Sequence, residues 1–163
     1  VIKIIHGDLL NAKVDALVNA VNCVGIMGKG IALQFKQSFY YNFLQYKKSC
    51  MKNEVHIGEM FTYEIQGSIL PKYIINFPTK QHWKDNSLIE SIDSGLISLG
   101  KEIDRLDICS IAIPLIGSGL GSLDPDLILD RIKSFADNHM IKTITSGKRD
   151  VDFLIYVSKG KTC

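Results

Sequence analysis

Cysteine, proline and tryptophan are scarce in this chain of 163 residues, with four, four and one of each. The cysteines Cys23, Cys50, Cys109 and Cys163 form no Cys-x-x-Cys pair, and no histidine stands at metal-ligand spacing. Neither a zinc site nor a disulfide framework is signalled, so all four read as reduced thiols. No run of about 18 uncharged apolar residues is present, which excludes a membrane-spanning helix. Lys3, His6 and Asp8 interrupt the first segment, which therefore does not read as a signal peptide, and a cytoplasmic protein is expected. Charge of one sign is lacking too: 19 Lys and Arg against 17 Asp and Glu leave a formal net charge of +2, too small to announce nucleic-acid binding. There is no internal repeat and no low-complexity segment.

What is present is an ordinary globular composition, 46% hydrophobic and 22% charged, enough for one domain with a buried core. Residues 1–5 and 15–21 read as strands, the second almost continuously apolar, as suits a strand covered on both faces. From Ile31 the period changes: Ile31, Phe35, Phe39 and Phe43 recur every four residues and predict one helix reaching about Ser49. Residues 60–65 and 73–77 read as two strands joined by a turn at Gln66-Gly67-Ser68, with Pro78 ending the second. Leu88, Ile92, Leu96, Leu99 and Ile103 predict a long helix with Ser87 as its cap. A buried strand from Ser110, a helix marked by Leu127, Ile128, Ile132, Phe135 and Ala136, and a closing strand over 152–157 complete the chain. Strands alternating with helices imply a layered α/β fold with a mostly parallel sheet. Residues 143–150 carry no legible pattern. Cys23 and Cys109 flank apolar strands and are expected in the core. Lys47, Lys48 and Lys52 end a helix, where cations favour the helix dipole; a single DNA strand is the other use for them and for Lys148-Arg149.

Two strand-to-helix connections are rich in glycine. Asn22-Cys23-Val24-Gly25-Ile26-Met27-Gly28-Lys29-Gly30-Ile31 follows the second strand, and Ile116-Gly117-Ser118-Gly119-Leu120-Gly121 follows the buried strand, before Asp124-Pro125 opens a helix. Glycines allow the backbone to approach a ligand, and the unpaired N–H groups and dipole of a helix N-terminus favour an anion. The first is neither a Walker motif nor a Gly-x-Gly-x-x-Gly fingerprint. Each alone is equally readable as a plain connection. Together, at the carboxyl ends of two strands of an open sheet, they suggest a site for a diphosphate.

These residues carry a resemblance. Gly7-Asp8-Leu9-Leu10, Val18-Asn19-Ala20-Val21-Asn22, the first glycine loop and Pro114-Leu115-Ile116-Gly117-Ser118-Gly119-Leu120-Gly121 together resemble a macrodomain, the ADP-ribose-binding module. Gly28-Lys29-Gly30-Ile31-Ala32-Leu33-Gln34-Phe35-Lys36 and Asn76-Phe77-Pro78-Thr79-Lys80, followed by His82-Trp83, are similar to the DNA ADP-ribosyl glycohydrolase antitoxins. These share a branch with terminal ADP-ribose glycohydrolases acting on glutamate esters. The resemblance implies a three-layer α/β/α fold with a mixed, mostly parallel sheet of about six strands, in a single domain over 1–163. It implies no metal and no cofactor. The antitoxins carry a further toxin-binding domain, and a chain that starts at Val suggests excision from a longer one.

The resemblance also implies roles. Asp8 receives the adenine amine while the Leu9 backbone supports the ring; the alternative is that Asp8 only braces the Gly7 turn. Gly25, Gly28, Lys29, Gly30 and Ile31 face Ile116, Gly117, Ser118, Gly119, Leu120 and Gly121 across the diphosphate, with Lys29 either meeting a phosphate or merely facing solvent. Asn22 meets the distal ribose or serves as a strand-end turn residue. Lys80, at the end of a strand expected to be central, matches a catalytic lysine. It acts either as a nucleophile forming a Schiff base on the opened sugar or as a cation and proton donor for the leaving group. Relatives cleaving glutamate esters pair this lysine with an aspartate where this chain has Gly121, and Asp124 does not match that position; the electrostatic role is therefore favoured. His82 and Trp83 are candidate walls of the cleft, the first with an imidazole able to assist proton transfer, the second with a face for a base. The implied activity is removal of ADP-ribose from thymidine in single-stranded DNA, reversing a cognate ADP-ribosyltransferase toxin. The alternatives are hydrolysis of ADP-ribosyl-glutamate or of phosphate or acyl derivatives of ADP-ribose, and a reader that binds ADP-ribose without turnover.

Overall fold

A computed structural model describes residues 1–157; Cys163 lies outside them. The elements run β1 (Ile2–His6), a 3-10 turn (Leu9–Asn11), β2 (Ala16–Val21), α1 (Gly30–Ser38), α2 (Tyr40–Met51), β3 (Phe61–Glu64), β4 (Tyr73–Pro78), α3 (Ile89–Arg105), β5 (Ser110–Pro114), α4 (Pro125–Ser146) and β6 (Asp152–Val157). The six strands form one sheet in the order β1-β6-β5-β2-β4-β3. Every pairing is parallel except that of β3 with β4, a hairpin closed at Glu64 and Tyr73. The expected mixed, mostly parallel sheet is thus observed. No helix among the described residues is long and apolar enough to cross a membrane.

Alternation along the strands divides the core. Ala16, Val18, Ile75, Phe77, Ile111 and Ile113 pack beneath α3 and α4, whereas Leu17, Ile74 and Ala112 point to the opposite face with Phe35 of α1. Successive strand side chains point to opposite faces, so a strand covered by helices on both sides must be apolar throughout. That is what makes β2 and β5 almost continuously apolar, with the buried Asn19 as the exception in β2 and Ser110 at the start of β5. Helix α3 lies very close to β4: a Cβ on Gly95 would fall 2.3 Å from the Phe77 ring. The ring fills the groove that the missing side chain leaves, and the end of β4 is fixed from below.

The sheet positions a cleft. Between β2 and β5 the ladder pairs Ala16 with Ile111 and Leu17 with Ala112, and ends there. Beyond it the two strands part, and the chain winds away to β4 and β3 on one side and to β6 and β1 on the other. This is the topological switch point, where open α/β sheets bind ligands outside the carboxyl ends of their strands.

Several sequence expectations need correction. The single helix over 31–49 is two, broken at Phe39, whose backbone leaves the helical region (φ −134°, ψ 68°). The helix after Asp124 continues through the illegible stretch to Ser146, and Gly147 in the left-handed region (φ 68°) ends it. Ser87 does not cap α3; Leu88 is the capping position and makes no side-chain bond there. Cys109 is half-buried and receives a hydrogen bond from Arg149 Nη1 at 3.2 Å, so it is not a core residue. Strand β4 is interior but second from the edge rather than central.

Candidate active site

The first glycine loop is built around Asn22. Its Oδ1 accepts from the Val24 N–H at 3.0 Å and the Ile26 N–H at 3.5 Å, while its Nδ2 donates to the Ile26 carbonyl at 2.8 Å. The Tyr46 hydroxyl from α2 lies 2.7 Å from both the Asn22 carbonyl and Oδ1. Burial holds the Tyr46 phenol protonated well above its ordinary range, so it remains a donor. Asn22, expected to meet the distal ribose, thus holds the turn with its Oδ1 and one Nδ2 hydrogen, and the second Nδ2 hydrogen is left for a ligand hydroxyl. Gly25 (φ 85°) needs the left-handed region, and a Cβ there would meet the Lys47 backbone of α2 at 3.5 Å. Met27 plugs the core below, its sulfur 3.9 Å from Asn19 Nδ2. Gly28, Lys29 and Gly30 are exposed above it, and Ile31 is half-buried.

At the end of this loop Lys29 is the N-cap of α1 and makes no side-chain cap bond. The first-turn N–H groups of α1 are left facing outward, a site for an anion. The second loop lies opposite. A Cβ on Gly30 would sit 3.6 Å from the Leu120 side chain, so the two loops meet across the cleft.

The second loop is folded tightly on itself. Ile116 is buried, Gly117 (φ 80°) receives the Leu123 N–H at its carbonyl, and the Ser118 N–H and hydroxyl both donate to the Leu115 carbonyl at 3.2 and 2.6 Å. The N–H groups of Gly119 and Leu120 bond to no other backbone group among the described residues. Such free, adjacent donors suit phosphate oxygens. The glycines differ in what surrounds them. Around Gly119 there is open space, whereas a Cβ on Gly121 would fall 2.3 Å from Ser87 Oγ and 2.5 Å from the Gly117 carbonyl oxygen. Residue 121 has no room for any side chain, hence none for an acid. Asp124, the nearest carboxylate in sequence, caps α4 by accepting from the Asp126 N–H at 3.2 Å.

Lys80 follows β4 and reaches the junction. Its Nζ donates to the Leu120 carbonyl at 3.3 Å and to the Trp83 carbonyl at 3.1 Å. An ammonium has three donors, so one remains for a substrate. The segment is tied down on both sides: Cys23 N–H donates to the Gln81 carbonyl at 2.9 Å, and Ser87 N–H to the Gly121 carbonyl at 2.9 Å. His82 Nδ1 accepts from the Lys84 N–H at 3.1 Å, and the His82 backbone N–H donates to Asp85 Oδ2 at 3.0 Å. His82 is thereby a brace of the turn, its ring 5.2 Å from that of Trp83. Burial, reinforced by the neighbouring Cys50, pushes the Cys23 thiol up to about 11, which removes it as a nucleophile at neutral pH.

At the far end Asp8 is exposed. Its Oδ1 accepts from the Leu10 N–H at 3.0 Å and its Oδ2 from Asn11 Nδ2 at 3.4 Å, so it braces the turn in which Leu9 is buried. Its lone pairs are not exhausted, and an incoming amine can still be accepted. Tyr156, at the end of β6, stands close by: burial and then the Asp8 charge raise its phenol above the ordinary range. Sequence reasoning missed Tyr156, Tyr46 and Ser87. The first two read as ordinary apolar-periodic residues, and Ser87 read only as a helix cap, because its approach to Gly121 arises in the fold and not in the local sequence.

A sequence model of the macro domain family matches residues 18–132, well over half of the chain. The chain belongs to the macro domain family. This macrodomain is 46% identical over 154 residues to a protein of Mycobacterium tuberculosis named DNA ADP-ribosyl glycohydrolase, a match covering 94% of the chain and 41% of that relative. The chain therefore spans about two fifths of the relative's length. Among solved structures it is similar to the macrodomain of Mycobacterium tuberculosis DarG, with TM-score 0.86, 46% identity, and 96% and 97% of the two chains covered. It is also similar to Thermosipho africanus DarTG in complex with ADP-ribose, with TM-score 0.80, 28% identity, and 99% and 43% covered.

Proposed function

We propose that this macrodomain is a hydrolase that removes ADP-ribose from thymidine in single-stranded DNA and reverses the action of a cognate ADP-ribosyltransferase toxin. The observation that carries the reading is Lys80 Nζ held between the Leu120 and Trp83 carbonyls with one donor to spare. In this reading adenine lies at Asp8 and Tyr156, the diphosphate between the α1 N-terminus and the Gly119 and Leu120 N–H groups, and the distal ribose near Lys80. Support also comes from the relative named DNA ADP-ribosyl glycohydrolase and the DarTG structure that holds ADP-ribose.

In this account Lys80 works as a cation and proton donor. The glycosidic bond to the base breaks, the Lys80 proton goes to the departing base, water adds to the sugar carbon as hydroxide, and the proton left from that water restores the Lys80 ammonium. A lysine adduct would need a second group to resolve it, and position 121 excludes one sterically. Lys80→Ala should keep ADP-ribose affinity by calorimetry while turnover on ADP-ribosylated DNA falls by about 10²–10⁴, the usual worth of one positioned acid–base group. Full activity in that variant would sink the mechanism, and a borohydride-trapped sugar adduct on Lys80 would replace it with the nucleophilic one.

A further inference from the structure

Lys80 divides the cleft. On one side its ammonium touches Leu120 of the diphosphate loop, and on the other it touches the backbone of Trp83. With ADP-ribose on the Leu120 side, the leaving base must depart over Trp83, and whatever polymer is attached to that base must run along the surface that continues from it. The segment that carries Trp83 is joined to the first loop by a backbone hydrogen bond. The exposed Trp83 ring carries Lys84 Nζ 5.1 Å from its centroid. Gln81 next to it is bonded to Cys23, and beyond Cys23 the exposed side chains of Val24 and Ile26 crown the first loop. Against the other flank of that loop lies the C-terminal half of α2, with the exposed Lys47 packed on Gly25.

We propose that the DNA strand bearing the modified base lies along this ridge, with Trp83 stacking a base and Lys84 and Lys47 meeting phosphates at its two ends. The inference rests on the proposed DNA activity. The helix dipole accounts for cations at the end of α2, but it does not account for that end being packed against the loop that forms the site. An aromatic face between cations, with apolar side chains at sugar level, is the arrangement that holds single strands without reading sequence.

Binding separates this from the activity itself. Affinity for a fluorescent ten-residue oligothymidylate, unmodified, is measured against salt for the wild type, for Lys47→Gln/Lys84→Gln and for Trp83→Ala. Each phosphate contact on a single strand contributes about 0.7 to the slope of log affinity against log salt, so the double variant should be shallower by about 1.4. Between 50 and 200 mM salt the wild type should then lose roughly sevenfold more affinity than the double variant. Trp83→Ala should keep the wild-type slope and bind at least about fivefold more weakly, the loss of one stacked base. Hydrolysis of ADP-ribosyl-thymidine mononucleotide by the double variant should equal that of the wild type. An unchanged slope, or no binding of the oligonucleotide by the wild type, overturns the strand path. Absence of hydrolysis in the wild type overturns the activity and is read separately.

Discussion

Two glycines in one loop should answer substitution in opposite ways. Gly119 has open space around it and an ordinary backbone conformation, so Gly119→Glu should fold. A surface change of that kind alters stability by no more than about 0.5 kcal/mol, which for a chain of this size is about 2 °C in Tm or less. Its carboxylate would stand where the diphosphate belongs. Like charges about 4 Å apart at an effective dielectric near 20 repel by about 4 kcal/mol, enough to take affinity down well over a hundredfold. Gly121→Ala should do the reverse: its methyl group falls 2.5 Å from a backbone oxygen that cannot swing aside. Overpacking of this kind costs about 1–3 kcal/mol, or about 2–12 °C in Tm. Thermal unfolding and calorimetry with ADP-ribose on both variants decide the matter. Unchanged affinity in a folded Gly119→Glu protein would remove the diphosphate assignment, and an unchanged Tm in Gly121→Ala would refute the steric argument against an acid there.

Two more outcomes follow from the hydrogen bonds of the site. Asn22→Ala removes the bonds closing the Asn22–Ile26 turn and should cost about 1–3 kcal/mol, with ADP-ribose affinity and turnover falling together, unlike Lys80→Ala; equal Tm by scanning calorimetry would contradict the bracing role. Asp8→Ala should weaken ADP-ribose binding by about 1.5–3 kcal/mol in titration calorimetry, and unaltered affinity would mean that the carboxylate serves only its turn.

Much of the fold was legible because burial on both faces of the sheet forces nearly apolar runs, and β2 and β5 are such runs. The break at Phe39 was not, for a physical reason: Phe39 N–H still bonds to the Phe35 carbonyl and Phe43 N–H to the Phe39 carbonyl, so the period of four passes through the kink unaltered. The end of α4 was hidden by Thr143, Ile144 and Thr145, residues of modest helix propensity. There the Thr143 and Thr145 hydroxyls bond back to the His139 and Ile141 carbonyls within the helix. In the site, the glycine loops and Lys80 could be singled out by residue type. That Asn22 braces its own loop, and that Ser87 closes position 121, depends on α2 and the 80s segment packing against those loops, which no local pattern encodes.

The central claim concerns which bond is cleaved. The purified protein, incubated in parallel with single-stranded DNA carrying labelled ADP-ribose on thymidine and with a protein carrying it on glutamate, should release label from the DNA and leave the protein modified. Release from the glutamate-modified protein alone, or from neither while free ADP-ribose binds, would contradict the account.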